Sequence, residues 1–126
     1  MPARDDIADV LVELEAAWND ADAAAFARVF AADAVYVTRS GELWRGRPAI
    51  EEGHARALAG PLADTVLTLR PAHIIFPATS VAVAHVDLLL AADQTLIRAV
   101  ATLVLSLDGT RWSIVAAHTS DAAPVH

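Results

Sequence analysis

The sequence contains no cysteine and no run of basic residues, and both absences limit what the protein can be. Without cysteine there are no disulfides, no thiolate metal ligands and no cysteine nucleophile. The formal net charge is −7, with 9 Lys and Arg against 16 Asp and Glu. This balance argues against nucleic acid or an anionic membrane as a partner.

Long apolar runs are also missing. The beginning, M-P-A-R-D-D-I, lacks the apolar core of a signal peptide, and no stretch reaches the ~20 apolar residues that a membrane helix needs. There are only five glycines, and no phosphate-binding loop, nucleophile elbow or dinucleotide fingerprint occurs. We therefore expect a cytoplasmic protein that makes no membrane contact and uses no cofactor.

The chain does contain a large apolar fraction. Its 126 residues are 56% apolar and 20% charged, which is unlike the composition of a disordered chain. This length suits one domain with a substantial core, and we assign residues 1–126 to a single domain.

The first half of the chain has the residue spacing of helices. Apolar residues recur there at three- and four-residue steps: Ile7, Val10, Leu11, Leu14, Ala17 and Trp18. They predict a helix over about 5–20, and a short helix over 23–30 follows the capping residue Asp22. Two short strands, over 34–38 and 43–45, are expected next. A third helix then lies between a proline and a glycine-proline pair, Pro48 and Gly60-Pro61.

From residue 65 onward the pattern changes to long strands joined by short loops. The predicted strands cover 65–76, 80–91, 95–107 and 111–119. Such connections form an antiparallel meander, and helices that precede it can cover only one of its faces. The predicted fold class is α+β, a cone of three N-terminal helices packed on a curved, mainly antiparallel sheet.

Three stretches carry a resemblance to a known family: A-A-W-N-D-A-D-A-A-A-F-A-R-V-F-A-A-D-A-V-Y-V, G-R-P-A-I-E-E-G-H and D-G-T-R-W-S-I-V-A-A-H-T-S. Through them the chain resembles the nuclear transport factor 2-like superfamily, which has a cystatin-like fold. Within it the chain is most similar to SnoaL-like proteins of the SgcJ/EcaC branch, which are often found near secondary-metabolite genes. The resemblance implies a pocket between the helices and the concave face of the sheet, and a homodimer through the outer face.

The same superfamily includes isomerases, dehydratases, cyclases, epoxide hydrolases and non-catalytic assembly modules, so the resemblance alone does not select a reaction. The resemblance does argue against one reaction, that of the ketosteroid isomerases. Ketosteroid isomerases carry a general-base Asp on the first strand and a Tyr on the first helix, whereas the matching positions here hold Thr38 and Leu14.

Ionisable residues interrupt one apolar strand, V-A-V-A-H-V-D-L-L-L, residues 81–90. Residues two apart share a face of a strand, so His85 and Asp87 point the same way. By alternation and by the resemblance, we place one set of residues toward the pocket: His85, Asp87, Arg98, Thr102, Trp112 and His118. A histidine beside a carboxylate suits acid-base catalysis, so His85, Asp87 and His118 are the predicted catalytic residues.

The predicted ligand-binding residues are aromatic or polar: Trp18, Phe26, Tyr36, Thr38, Trp44, His54, Arg98 and Thr102. Structural interpretations compete with these. The tryptophans could be core residues, His54 and His118 could be hydrogen-bonded core histidines, and Asp87 could pair with Arg98.

A zinc site is a further alternative, because three histidines and one carboxylate could converge: His73, His85, His118 and Asp87. No close-spaced ligand pair such as H-E-x-x-H occurs, and we predict no metal.

These patterns predict a pocket for a small hydrophobic molecule, either polyketide-like or aromatic. The protein is then a cofactor-free acid-base enzyme of the isomerase, dehydratase or cyclase type, or a non-catalytic ligand-binding or dimerisation module. We also expect a homodimer to cover an apolar stripe that alternation places on the outer face: Ala99, Ala101, Leu103 and Leu105.

Overall fold

The computed structural model describes residues 2–123, in which three helices precede or interrupt the strands. The helices are α1 Pro2–Asn19, α2 Ala23–Arg28 and α3 Arg47–Ala59. The strands are β1 Phe30–Val37, β2 Leu43–Arg45, β3 Val66–Ala78, β4 Val81–Ala92, β5 Thr95–Asp108 and β6 Arg111–Asp121. The α+β class is therefore confirmed, although α2 has only six residues and the helical layer rests mainly on α1 and α3.

All six strands form one sheet in the order β2-β1-β6-β5-β4-β3. The four long strands pair antiparallel with their neighbours in sequence, which confirms the predicted meander. β1 joins the sheet beside β6, and this is the one parallel pairing among the strands of residues 2–123. The connection from β1 to the meander includes β2 and α3, and α3 packs against β1 and β2 at that end of the sheet.

The core lies between the helices and one face of the sheet. Ile7, Leu11 and Leu14 on the inner side of α1 are each at most 3% exposed. Burial of a side chain of this size stabilises the fold by about 2 kcal/mol. The last turn of α1 is also attached to β3, because the Asn19 side chain accepts a hydrogen bond from Leu67 N at 2.8 Å and donates one to Leu67 O at 3.2 Å.

The strands alternate as predicted, but the face that we assigned to the pocket is wrong. Ala82, Ala84 and Val86 of β4 are at most 2% exposed and face the helices. His85 and Asp87 lie between them in sequence, and both are exposed on the outer, convex face. An unpaired charge in an apolar core costs several kcal/mol, so the fold turns the uncharged side of β4 inward.

The wrong choice of face also affects the prediction for β5. The stripe that we expected on the outer face is buried under the helices: Ala99 is 2%, Ala101 7%, Leu103 6% and Leu105 0% exposed. This stripe therefore cannot be the surface that a homodimer covers.

Candidate functional site

A cavity of about 480 Å³ lies between the helical layer and the concave face of the sheet. Pockets of this size accommodate small organic molecules. Leucines and other aliphatic side chains of the long strands form one wall: Leu67, Leu69, Val86, Leu88, Leu90, Ala101 and Leu103. The opposite wall is mainly aromatic, with side chains from the helices and from β1 and β2.

His54 lies at the centre of the aromatic wall, on α3. Its imidazole ring contacts four aromatic rings, with centroid distances of 4.3 Å to Phe26, 4.9 Å to Tyr36, 5.3 Å to Trp44 and 6.0 Å to Trp18. The side chain is 3% exposed. Three of these four contacts are edge-to-face, an arrangement that aromatic rings favour.

One hydrogen bond sets the tautomer of His54. Its Nδ1 lies 2.8 Å from the carbonyl oxygen of Ile50, one turn earlier in α3. A carbonyl oxygen only accepts, so Nδ1 carries the proton and Nε2 carries a lone pair when the ring is neutral. Burial lowers the pKa of His54 to about 4, and the hydrogen bond to Ile50 raises it by a smaller amount. His54 is therefore uncharged at neutral pH.

Tyr36 on β1 supplies the second polar group of the aromatic wall. Its hydroxyl accepts a hydrogen bond from Thr119 Oγ1 at 3.3 Å. Burial raises the pKa of Tyr36, and this outweighs the lowering by Thr119 and by the charge of Arg39. The hydroxyl thus keeps its own proton at neutral pH and can donate it to another acceptor.

A glycine on α3 allows Trp44 to complete this wall. Trp44 stacks on Tyr36 with ring centroids 5.5 Å apart. Its six-membered ring lies directly over Gly53, where any added Cβ would overlap Cη2 of the indole. Gly53 is therefore required for the observed position of Trp44.

Charged side chains occur only where the cavity opens to solvent. Among the lining residues of the described chain, they are Arg39, Glu42 and Asp121, and all three are exposed. Arg39 Nε lies 2.8 Å from Asp121 Oδ1, so the β1–β2 turn is bridged to the end of β6. Thr38 and Ser40 line the same opening, and their hydroxyl oxygens are 3.0 Å apart.

The predicted site residues thus divide into two groups. Six line the cavity: Trp18, Phe26, Tyr36, Thr38, Trp44 and His54. The other predicted residues do not line it, and for them the predicted placement is wrong: His85, Asp87, Arg98, Thr102 and His118 are on the convex face, and Trp112 packs in the core against Phe76.

On the convex face, these polar residues occupy neighbouring strands. His85 lies opposite Thr102, and Thr102 lies opposite His118. His73 pairs with His85 across β3 and β4, and their rings stack with centroids 6.1 Å apart. Asp87 has no ion pair within residues 2–123, so the predicted pair with Arg98 is wrong. No group of three His, Asp or Glu side chains in these residues could hold a metal ion.

Sequence reasoning missed the leucine wall and the charged opening. The signal for the wall was present, because Val86, Leu88 and Leu90 form an uninterrupted apolar series on one face of β4. We gave more weight to the ionisable residues than to that series. The bridge between Arg39 and Asp121 joins positions 82 residues apart, and no local pattern predicts it.

Comparison with known proteins agrees with this geometry. A sequence model of the SnoaL-like domain matches residues 7–125, and the chain therefore belongs to the SnoaL-like family. Its fold is the cystatin-like or NTF2-like fold, which it shares with solved structures. A search of curated proteins finds no match.

Solved structures share the fold at low sequence identity. A domain of unknown function with a cystatin-like fold from Nostoc punctiforme superposes with a TM-score of 0.86 and 18% identity over 95% of this chain and 79% of that one. An NTF-2 like protein of unknown function from Shewanella oneidensis superposes with a TM-score of 0.84 and 22% identity, over 96% of this chain and 100% of that one. A ketosteroid isomerase-like protein from Erwinia carotovora atroseptica superposes with a TM-score of 0.77 and 14% identity, over 94% of this chain and 95% of that one.

None of the helices within residues 2–123 combines the length and the apolar character needed to cross a bilayer.

Proposed function

We propose that this SnoaL-like protein binds a small, uncharged, largely apolar molecule in the cavity around His54. The observation that carries the proposal is the composition of the wall. Leucine and aromatic side chains dominate it, and its buried polar groups, His54, Tyr36 and Thr119, are all uncharged at pH 7. Apolar pockets with a few well-placed polar groups are typical ligand sites.

The absence of an internal charge supports an uncharged ligand. Moving an ion from water into an apolar cavity without a partner costs several kcal/mol. Arg39, the one arginine that lines the cavity within residues 2–123, is at the opening and is already paired with Asp121. A neutral aromatic or polyketide-like molecule fits these conditions, and its assignment to secondary metabolism remains a prediction.

A cofactor-free acid-base enzyme of the isomerase, dehydratase or cyclase type is the second candidate. It is supported by the 4.9 Å between the Tyr36 and His54 ring centroids, which brings one proton donor and one proton acceptor to the same cavity. The ketosteroid isomerase-like neighbour supports it only through its fold. Against it, a base with a pKa of about 4 is weak at neutral pH, since efficient general bases have a pKa near the working pH. Non-catalytic binding is therefore the better supported function.

Two adjacent leucines of β4 provide a matched test of binding. Leu88 lines the cavity, whereas Leu89 is on the opposite face of the strand, beside Arg98. The wild-type protein is screened by thermal shift and intrinsic tryptophan fluorescence against uncharged bicyclic aromatic compounds. Leu88→Trp should fill part of the cavity and abolish the ligand-induced shift, and Leu89→Trp should leave it unchanged. Equal loss in both variants, or no ligand for the wild type, contradicts the proposal.

We further propose that the protein is a cytoplasmic homodimer that associates through the convex face. The buried stripe on β5 no longer supports this, but other apolar residues do. Val100 is 40% and Ile75 43% exposed, and Val83 and Val104 are half-buried on the same face. Apolar groups grouped in this way commonly mark an interface.

A further inference from the structure

The unprotonated nitrogen of His54 limits which chemical groups a ligand can place beside it. Nδ1 is committed to Ile50 O, so Nε2 is the free nitrogen. Within residues 2–123 Nε2 has no hydrogen-bond partner. Every fully buried side-chain nitrogen or oxygen atom in these residues does have a partner, so Nε2 must be partly accessible. His54 lines the cavity, so the lone pair of Nε2 is available to a bound molecule.

Most polar groups are unfavourable next to that lone pair. A ketone, ether or carboxylate oxygen offers only lone pairs of its own, and it would leave both Nε2 and itself without a hydrogen bond. A buried hydrogen bond that is left unmade weakens binding, because both groups have lost their bonds to water. A hydroxyl group, in contrast, donates its proton to Nε2 and satisfies both atoms.

The surroundings of His54 favour a hydroxyl on a flat ring. The rings of Phe26, Tyr36 and Trp44 lie with their centroids within 5.3 Å of the imidazole, and the opposite wall is aliphatic. A planar ligand can therefore place its hydroxyl at His54 while its ring system contacts the leucine wall. The Tyr36 hydroxyl, whose proton has no acceptor among residues 2–123, can donate to a second oxygen on the same ligand.

We infer that the ligand is an uncharged phenol or enol whose hydroxyl donates a hydrogen bond to His54 Nε2. This inference rests on the proposed binding function and adds the chemical class of the ligand. His54 here is a binding residue, and no bond is made or broken in the complex. The low pKa of His54 is consistent with this, because the ring remains an acceptor throughout the neutral pH range.

The test compares three probes that differ in a single group: β-naphthol, its methyl ether and β-naphthoate. Dissociation constants are measured by fluorescence titration of the wild-type protein. We expect β-naphthol to bind about tenfold more tightly than the ether, as one net hydrogen bond predicts, and the anionic naphthoate to bind most weakly. Equal affinity for β-naphthol and its ether, or a preference for the naphthoate, would overturn the inference.

Two variants assign the preference to the correct residue. His54→Phe keeps a ring but removes the acceptor, so its affinities for β-naphthol and the ether should become equal. Tyr36→Phe keeps His54 and should retain the preference for β-naphthol. Retention of the preference in a folded His54→Phe protein contradicts the inference.

A measurement on the wild type avoids the risk that His54→Phe does not fold. In a protein labelled with ¹⁵N histidine, the Nε2 resonance of His54 should move on addition of β-naphthol and stay in place with the ether. A bound β-naphthol that leaves the resonance unchanged overturns the inference while the proposed function stands. If none of the three probes binds, both the inference and the proposed function are contradicted.

Discussion

His54 is the residue through which the fold controls the chemistry of the cavity. Sequence analysis left its role open between a binding residue and a core histidine, and the structure shows features of both. The ring is buried in an aromatic cluster and bonded to Ile50 O, yet it also lines the cavity. Helical periodicity alone places a histidine on the inner face of a helix, but it does not predict an empty space beside that face.

The pKa of His54 can be tested directly. Its folded-state pKa of about 4 is below the ordinary value of 6.5, so the unfolded chain takes up a proton between these values and the folded chain does not. Stability should therefore be full above about pH 6.5 and should fall as the pH decreases toward 4, by on the order of 3 kcal/mol from this residue.

Urea unfolding of the wild type between pH 7 and pH 4, together with NMR titration of the His54 ring, measures this effect. His54→Phe should unfold with a flatter dependence on pH. An NMR pKa near 6.5 for His54 would show that the ring is hydrated and would contradict the description of the site.

At the scale of the elements, the strand pattern was predicted well and the orientation of the sheet was not. The four long strands and their pairing follow from alternating apolar residues and short loops. Alternation determines which residues share a face, but not which face the helices cover. On β4 both faces have apolar members, since Val81 and Val83 accompany His85 and Asp87. The inward face of β4 is the one that shares a core with α1, and α1 is far away in sequence.

The corrected orientation predicts that a substitution of Asp87 has little effect on ligand binding. Because its carboxylate is exposed on the convex face, Asp87→Asn should change the dissociation constant of a cavity ligand by less than about twofold. Leu88→Ala removes an apolar contact inside the cavity and should weaken binding several-fold. Titration of both variants with one ligand measures the difference, and a larger effect of Asp87→Asn would restore the original placement.

At the scale of the whole molecule, no helix within residues 2–123 covers the convex face of the sheet. Its polar residues include His73, His85 and His118, and its apolar residues include Val100 and Ile75. The helices of the chain lie on the concave face, so a second copy is the partner that we propose for the convex one.

If the chains associate through the convex face, substitutions of two exposed valines should affect the oligomeric state differently. Val100 is on the convex face and is 40% exposed, while Val12 is on α1 and is 63% exposed. By light scattering, the wild type should have twice the chain mass of 13.3 kDa, and Val12→Lys should not change this. Val100→Lys should give the mass of one chain. A monomeric wild type at micromolar concentration would contradict the proposal.

The central claim is that a neutral ligand occupies the cavity between the aromatic wall and the leucine wall. A crystal structure of the protein with β-naphthol tests it most directly. We predict ordered ligand density between His54 and Leu88, with the naphthol oxygen within hydrogen-bond distance of His54 Nε2. Density on the convex face near His85, or an empty cavity in crystals saturated with the ligand, would contradict the account.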